Sequence, residues 1–173
     1  MTLASLGILM PLLVGAGPSA PAAEPDPLAA AAPLMGRWVA DPDPRTPGAS
    51  GWMTVERGAG GRALLRRNHA EYPPTKDRAA FTHDDLLLLF SENGQLRADY
   101  VDNEGHVIRY LVQTPNASTL VFVSDATAPG PRFRLTYTWP SKDRIDLTFE
   151  IAPPGPSTEF KPYIQARLHR GSN

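Results

Sequence analysis

The chain has 173 residues, 17 Lys and Arg against 18 Asp and Glu, and no cysteine, which fits a single domain. Because the net charge is −1 and the charges are scattered without a basic block, neither a nucleic-acid partner nor a polybasic membrane contact is expected. The lack of cysteine excludes disulfides, thiolate metal sites and a cysteine nucleophile.

The N-terminal part of the chain differs in composition from the rest. Residues 3–14 form an apolar run too short for a transmembrane helix, and Ala-Pro-Ala at 20–22 matches a small-x-small cleavage site. This predicts a signal peptide over 1–23 and export to the periplasm or medium, although no Lys or Arg precedes Arg37. A disordered Ala/Pro leader is the alternative. Residues 18–33 are Ala/Pro-rich and are expected to have no apolar face to bury, and 24–34 are predicted to be an Ala/Pro-rich linker. No transmembrane span is expected in the mature chain.

From residue 35 onward the sequence favours β-structure. Short runs rich in Val, Leu, Thr, Tyr and Phe recur between Gly, Pro, Asn and Asp. Only the run AAFTHDDLLLLF is ambiguous, and a short helix is the alternative there. The pattern predicts ten strands, at residues 36–40, 51–57, 62–70, 80–90, 95–102, 106–113, 118–124, 131–139, 144–151 and 160–169.

Two hairpin registers give an apolar inner face and a charge-matched outer face at once. The turn at DNEG places Asp99 opposite Arg109, and the turn at PSKD places Arg134 opposite Glu150. The predicted inner pairs are Tyr100–Ile108, Ala98–Tyr110 and Leu96–Val112 in the first, and Trp139–Ile145, Tyr137–Leu147, Leu135–Phe149 and Phe133–Ile151 in the second.

A third hairpin, centred on PNA, provides an apolar face only, with the predicted pairs Val112–Leu120 and Tyr110–Phe122. Consecutive strands that share one apolar face predict an up-and-down antiparallel meander. Because closure removes the exposed edges, the meander is expected to form an all-β barrel of about eight to ten strands. A β-sandwich and an open half-barrel around a helix are the alternatives.

A Gly-x-Trp motif at Gly36 and Trp38, the meander, and an arginine near the end of the last strand together resemble the lipocalin and calycin barrels. The closer similarity is to lipocalin-like domains of exported bacterial proteins without an assigned function. The resemblance implies a lipocalin-like β-barrel domain over 35–173 in which Trp38 closes the floor and Arg167 or Arg170 covers its indole. A guanidinium over an indole stabilises by about 0.5–2 kcal/mol. The Thr-Asp-Tyr motif of lipocalins is absent, so the subfamily stays open.

The inner face suits an apolar lumen in which tyrosine hydroxyls are the polar groups. Such a lumen fits a small hydrophobic or lipid-like ligand. A core filled by side chains is the alternative, since apolar stripes are usually core. The candidate ligand-binding residues on this face are Ala98, Tyr100, Tyr110, Val112, Phe122, Tyr137, Trp139 and Phe149.

His83 and Asp85, in the stretch FTHDDL, are the most reactive side chains and complete the list of candidate ligand-binding residues. The predicted register places His69 opposite His83, and Arg67 opposite Asp85, near the barrel mouth. Two imidazoles and a carboxylate there would suit a metal ion or a proton relay. A salt-bridged rim is the preferred interpretation. Because LLLLF is apolar on both faces, it fixes the register weakly.

The sequence has no nucleophile elbow, phosphate loop, two-histidine zinc helix or nucleotide fingerprint. We therefore predict no catalytic residue, metal or cofactor. The leading hypothesis is an exported barrel that binds a small hydrophobic ligand. The alternatives are a filled barrel that acts through the Pro-rich loops DPDPRTPGASG or APPGPSTEF, and a lumen-based isomerase, cyclase or hydrolase using His83 or Asp85. No oligomeric state is predicted.

Overall fold

Ten antiparallel strands follow one another around a closed barrel in a computed structural model that describes residues 26–125, 130–154 and 159–172. The ring closes where the first strand pairs with the last, and the run AAFTHDDLLLLF is extended, so the predicted all-β up-and-down barrel is confirmed. The predicted signal peptide lies outside the described residues. The strands are β1 (Gly36–Ala40), β2 (Ser50–Gly58), β3 (Ala63–Tyr72), β4 (Phe81–Glu92), β5 (Gln95–Asp102), β6 (Val107–Asn116), β7 (Thr119–Ser124), β8 (Arg132–Ser141), β9 (Arg144–Ala152) and β10 (Lys161–Arg170).

A 3-10 helix, Ala29–Leu34, closes the end of the barrel that we call the floor. Leu28, Ala31 and Leu34 are buried there in the main core cluster. The expectation that this segment has no apolar face to bury is wrong, because three apolar side chains spaced three residues apart share one side of a three-residue turn. A second short 3-10 turn, Ala59–Gly61, joins β2 to β3. Within the described part of the chain, no helix has the length and hydrophobicity to cross a membrane.

The first two predicted hairpin registers are confirmed. An irregularity between Thr138 and Ser141 leaves the predicted partners Trp139 and Ile145 outside the regular ladder. At both turns, one register satisfies the apolar inner face and the charge pair on the outer face at once, and this is the register observed. The confirmed pairs are Tyr100–Ile108, Ala98–Tyr110, Asp99–Arg109, Tyr137–Leu147, Leu135–Phe149, Phe133–Ile151 and Arg134–Glu150.

The third predicted register is wrong by two residues. The pairs Val112–Leu120 and Tyr110–Phe122 are replaced by Val112–Phe122 and Tyr110–Ser124. Ser118 donates its backbone N–H to Asn116 Oδ1 over 2.9 Å, and this local bond helps to set the turn one residue later than predicted. Because the shift is even, every side chain keeps its predicted face.

The predicted register between β3 and β4 is wrong by one residue, so His69 and His83 do not face each other. The predicted pairs His69–His83 and Arg67–Asp85 are replaced by His69–Asp84, Ala70–His83 and Asn68–Asp85. The cause is a tight turn in which Thr75 N–H donates to the Arg78 carbonyl over 2.8 Å, continuing the observed register. Since an odd shift reverses the faces, Arg66 instead of Arg67 lies inside the barrel.

Candidate functional site

The half of the barrel nearest the floor is filled by side chains. Phe122 packs edge-to-face against Tyr110 and Tyr137, with ring centroids 6.0 and 5.9 Å apart. A cavity beside Arg66 and Tyr137 measures about 10 Å³, roughly the room for one water molecule. The largest fully buried side chains are Trp38, Tyr137, Phe122, Leu28, Met53, Leu64, Leu89, Leu120 and Ile145.

Trp38 is fully buried at the floor, where its indole N–H donates to the Leu34 carbonyl over 2.8 Å. The Arg170 guanidinium carbon lies 4.0 Å from the centre of the Trp38 ring, and Arg170 also donates to the Met35 carbonyl. Gly36 has φ +105°, and a Cβ there would lie 2.7 Å from Arg170 Nη1. The glycine of the Gly-x-Trp motif is thus required by its positive φ, and a side chain there would in addition shift the guanidinium that covers the indole.

Arg167, the other arginine named with Trp38, lies on the outer surface. Its Nε is 3.7 Å from Asp146, and its side chain is exposed. The structure therefore brings Arg170, and not Arg167, to the buried indole.

A buried charged group separates the filled half from the barrel mouth. Arg66, which is 5% exposed, donates from its two terminal nitrogens to Tyr137 and to Asp85, which is 7% exposed. Asn68 donates to the other Asp85 oxygen over 3.0 Å. Arg66 Nε is buried without a hydrogen-bond partner. Sequence reasoning missed Arg66 and Asn68 because both belong to the strand whose register was wrong.

The ionisation of Arg66 is fixed by its surroundings. Burial alone would lower its pKa, but the Asp85 carboxylate and the Tyr137 hydroxyl more than offset this and raise the pKa. The phenol of Tyr137, in turn, has a raised pKa because burial disfavours the phenolate. Arg66 is therefore a permanent cation that faces a carboxylate and a neutral hydroxyl.

Above this buried pair, Tyr100, His83, Asp102 and Glu104 form what we call the mouth group. The Tyr100 hydroxyl donates to Asp102 Oδ2 over 3.1 Å and lies 3.2 Å from His83 Nε2. His83 Nε2 is 3.4 Å from Asp85 Oδ2, and its Nδ1 is 2.9 Å from Glu104 Oε1. The mouth group is thus continuous with the buried pair through His83 and Asp85.

The mouth group is a hydrogen-bonded network in which the histidine is charged and the tyrosine is neutral. Hydrogen bonding to Asp85, helped by Glu104 and opposed by burial, raises the pKa of His83 to about 9, so the imidazole is charged at neutral pH. Burial raises the pKa of the Tyr100 phenol as well. A cationic histidine and a neutral tyrosine donate hydrogen bonds to a polar group. No cluster of three or more metal-ligating side chains occurs within the described ranges.

The raised pKa of His83 predicts that stability falls as the solution becomes alkaline. Its stabilising contribution is complete below the unfolded-state pKa, near 6.5, and is lost as the pH rises through about 9. In His83→Gln, we expect the decrease in the free energy of unfolding from neutral to alkaline pH to be smaller than in the wild type by about 2–3 kcal/mol. Urea unfolding measured between pH 6 and 10 tests this.

His69→Gln is the control for this experiment. His69 also has a raised pKa, through hydrogen bonds to Asp84 and Glu71, but it lies on the outer face. His69→Gln should leave the decline in the free energy of unfolding between neutral pH and pH 10 largely unchanged. An unchanged pH profile in His83→Gln would contradict the assignment.

Aromatic side chains surround the mouth. Tyr72 and Phe81 stack with centroids 4.5 Å apart, and Phe133 and Phe149 stack at 5.8 Å. Tyr163 occupies an irregularity in β10, meets Phe149 edge-on at 6.4 Å and is 71% exposed. The other four rings are half-buried, in contrast to the fully buried side chains at the floor. The mouth is therefore the accessible, aromatic part of the interior.

The candidate ligand-binding residues fall into three groups. Tyr100, His83 and Asp85 contact one another near the mouth, and Phe149 packs separately, against Phe133 and Tyr163. Trp139 is half-buried and packs against the core cluster. The remaining candidates are deeply buried core residues: Ala98, Tyr110, Val112, Phe122 and Tyr137. Alternation along the strands predicted which side chains point inward but carried no information on how full each level of the barrel is.

A second concave region lies outside the barrel, between the β1–β2 loop and β9–β10. The cleft has a volume of about 650 Å³ and is lined by residues 41–45, 146–148 and 165–167. Arg45 holds the loop in place by donating to the Gln165 side chain over 2.9 Å while pairing with Asp43 at 2.7 Å. The charged residues that line the cleft thus already have partners, Asp43 with Arg45, Asp146 with Arg167, and Asp41 with Arg144 and His169.

No family model matches the chain, and no curated protein matches it. The ten-stranded antiparallel barrel is compatible with a calycin-like fold. It is also consistent with a barrel that binds a ligand, but folds of this kind serve many functions, so a function has to be argued from the mouth itself.

Proposed function

We propose that the protein binds a small molecule at the barrel mouth. The observation that carries this proposal is the contrast between the two levels of the interior. Phe81, Phe133 and Phe149 are half-buried at the mouth, whereas Trp38, Phe122 and Tyr137 are fully buried further toward the floor. A pocket with apolar walls and a few convergent polar groups is the usual form of a small-molecule site.

The chemistry of the mouth indicates the class of ligand. Phe133 and Phe149, stacked on each other, and Tyr163, which meets Phe149 edge-on, provide apolar ring surface for the body of a ligand. The polar hydrogens of His83 and Tyr100 are held by Glu104 and Asp102, so a polar group of the ligand would bind by exchanging with one of these bonds. The ligand is therefore a hydrophobic or lipid-like molecule with one polar end, held at the mouth and not deep in the lumen.

We also propose that the chain acts after export, on the basis of the apolar run at 3–14 and the small-residue site at 20–22. Native mass spectrometry of the protein, secreted from its natural host and purified without detergent, tests both proposals. The denatured mass reports whether the N-terminal segment is removed. A reproducible additional mass that is lost on denaturation reports a ligand.

The mouth proposal predicts the effects of two substitutions on that additional mass. Phe149→Ala removes a wall of the site and should weaken binding by about tenfold or more. Tyr100→Phe removes a hydroxyl but keeps the ring, and should weaken binding by about tenfold. The measurement is titration of each variant with the released ligand.

Trp52→Ala is the matched control, because Trp52 is an aromatic residue on the outer face, stacked against His69. It should bind the ligand as the wild type does. Equal binding by all three variants would contradict a site at the mouth.

The cleft under the β1–β2 loop supports a second candidate function, an interaction module with a filled barrel. Pro42 and Pro44 restrict the loop, and the Arg45 contacts fix it against β10. A protein that shows only its bare mass, even after incubation with a lipid extract of its host, would favour this candidate. The other Pro-rich loop, APPGPSTEF, lies partly outside the described residues.

A further inference from the structure

The outer surface of β4, β5 and β6 carries five of the seven exposed large hydrophobic residues in the described part of the chain. Leu86 lies opposite Val101, and Val101 lies opposite Val107, so three apolar side chains form a row across the three strands. Their exposed fractions are 41%, 42% and 71%. Contiguous exposed apolar surface of this kind marks an interaction site more often than scattered single residues do. The β4–β6 face comprises Leu86, Leu88, Val101, Val107 and Leu111, with Asp99 and Arg109 between them.

Asp99 and Arg109 are the charged pair at the centre of the β4–β6 face. They lie directly opposite each other on β5 and β6, but none of the ion pairs in the described part of the chain includes either residue. The equivalent pair on β8 and β9, Arg134 and Glu150, is closed at 2.5 Å. Two opposite charges set in apolar surface are thus left available to a partner with the same pattern.

We propose that a second copy of this chain docks on the β4–β6 face, about a twofold axis that runs parallel to β5 and β6 and midway between them. Such an axis exchanges the two strands, so cross-strand neighbours become partners across the interface. Asp99 then faces the partner subunit's Arg109, and Val101 faces the partner subunit's Val107. The operation matches charge at Asp99 and Arg109 and apolar side chains at Val101 and Val107, and it places Leu111 against the partner subunit's Arg97.

The architecture restricts the ways in which two copies can associate. β4, β5 and β6 each have a strand partner on both sides, so strand addition is not available at this face and two outer faces must pack on each other. Two convex faces touch along a central strip, which limits the buried area and makes the dimer weak and concentration-dependent. The central charge pair therefore decides whether the dimer forms. This dimer is independent of ligand binding, since the mouth group does not belong to the β4–β6 face.

Charge reversal provides the test, with sedimentation equilibrium as the measurement. Asp99→Arg and Arg109→Asp each replace two attractive contacts of the dimer by two repulsive ones, and each should raise its dissociation constant by at least about tenfold. Mixed in equal amounts, the two variants restore opposite charges at both positions. The mixture should form a heterodimer with a dissociation constant within about threefold of the wild-type value.

The matched controls are Asp146→Arg and Arg167→Asp, which reverse a cross-strand pair on the outer face of β9 and β10. Neither should change the dissociation constant. A wild-type protein that stays monomeric into the millimolar range overturns the proposal and leaves the β4–β6 face to a different partner. If the wild type forms a dimer but neither charge reversal changes the dissociation constant, the stated geometry is wrong. It is also wrong if the mixture of the two variants stays monomeric.

Discussion

Asp85→Leu is expected to lower the free energy of unfolding by about 3–5 kcal/mol, because it leaves a buried cation without its counter-ion. Arg66 is held inside the barrel between Asp85 and Tyr137, and it cannot discard its proton to escape the cost of burial. Its Nε already lacks a partner, so the variant would leave the guanidinium with the Tyr137 hydroxyl alone. Urea unfolding followed by tryptophan fluorescence measures the loss.

The double variant Arg66→Met/Asp85→Leu separates the cost of an unpaired charge from loss of packing. Replacing both members of a buried ion pair by apolar side chains of similar size is often neutral or stabilising. We therefore expect the double variant to regain most of the stability that Asp85→Leu loses. Asp146→Leu, an outward-facing control that is 54% exposed, should change stability by no more than about 0.5 kcal/mol. A double variant as unstable as the single one would show that the pair does not act through its charges.

The hairpins show what made a register predictable from the sequence. At DNEG and PSKD, the inner face had to be apolar and the outer face had to pair Asp99 with Arg109 or Arg134 with Glu150. Because these two conditions are independent, only one register satisfies both. At PNA only the apolar condition applied, and since an even shift satisfies that condition equally well, the prediction was off by two residues.

The β3–β4 register that brings Arg66 to Asp85 was not predicted, because there too the apolar pattern alone did not fix the register. In β4 the run LLLLF is apolar on both faces, so its pattern permits either face to point inward. The turn TKDR carried the missing information, because the Thr75–Arg78 pairing closes a two-residue loop and thereby fixes the register. Reading that turn first would have placed Arg66, and not Arg67, beside Asp85.

The 3-10 helix at the floor was not predicted, because the composition of residues 24–34 obscures a three-residue repeat of buried side chains. Leu28, Ala31 and Leu34 recur every three residues, which is the repeat of a 3-10 helix, but alanine and proline dominate the segment. The resemblance carried by Gly36 and Trp38 identified the indole at the floor without showing that a preceding segment packs against it.

Trp38→Ala should lower the free energy of unfolding by about 3–5 kcal/mol, because it removes the largest fully buried side chain of the floor. The 3-10 helix loses its hydrogen bond from the indole to the Leu34 carbonyl, and the Arg170 guanidinium loses the ring beneath it. Circular dichroism in urea measures the change without depending on tryptophan emission.

Two further variants show how the floor is held. Arg170→Met should lower the free energy of unfolding by about 0.5–2 kcal/mol through the lost cation–π contact. The loss of its hydrogen bonds to the helix end should lower it further. Because both side chains hold the same helix end, the losses in Trp38→Ala and Arg170→Met should not add in the double variant. Trp52→Ala, which removes a ring from the outer face, should cost far less than Trp38→Ala. Equal losses at Trp38 and Trp52, or strict additivity with Arg170→Met, would show that the barrel is closed at this end without the indole and its covering arginine acting together.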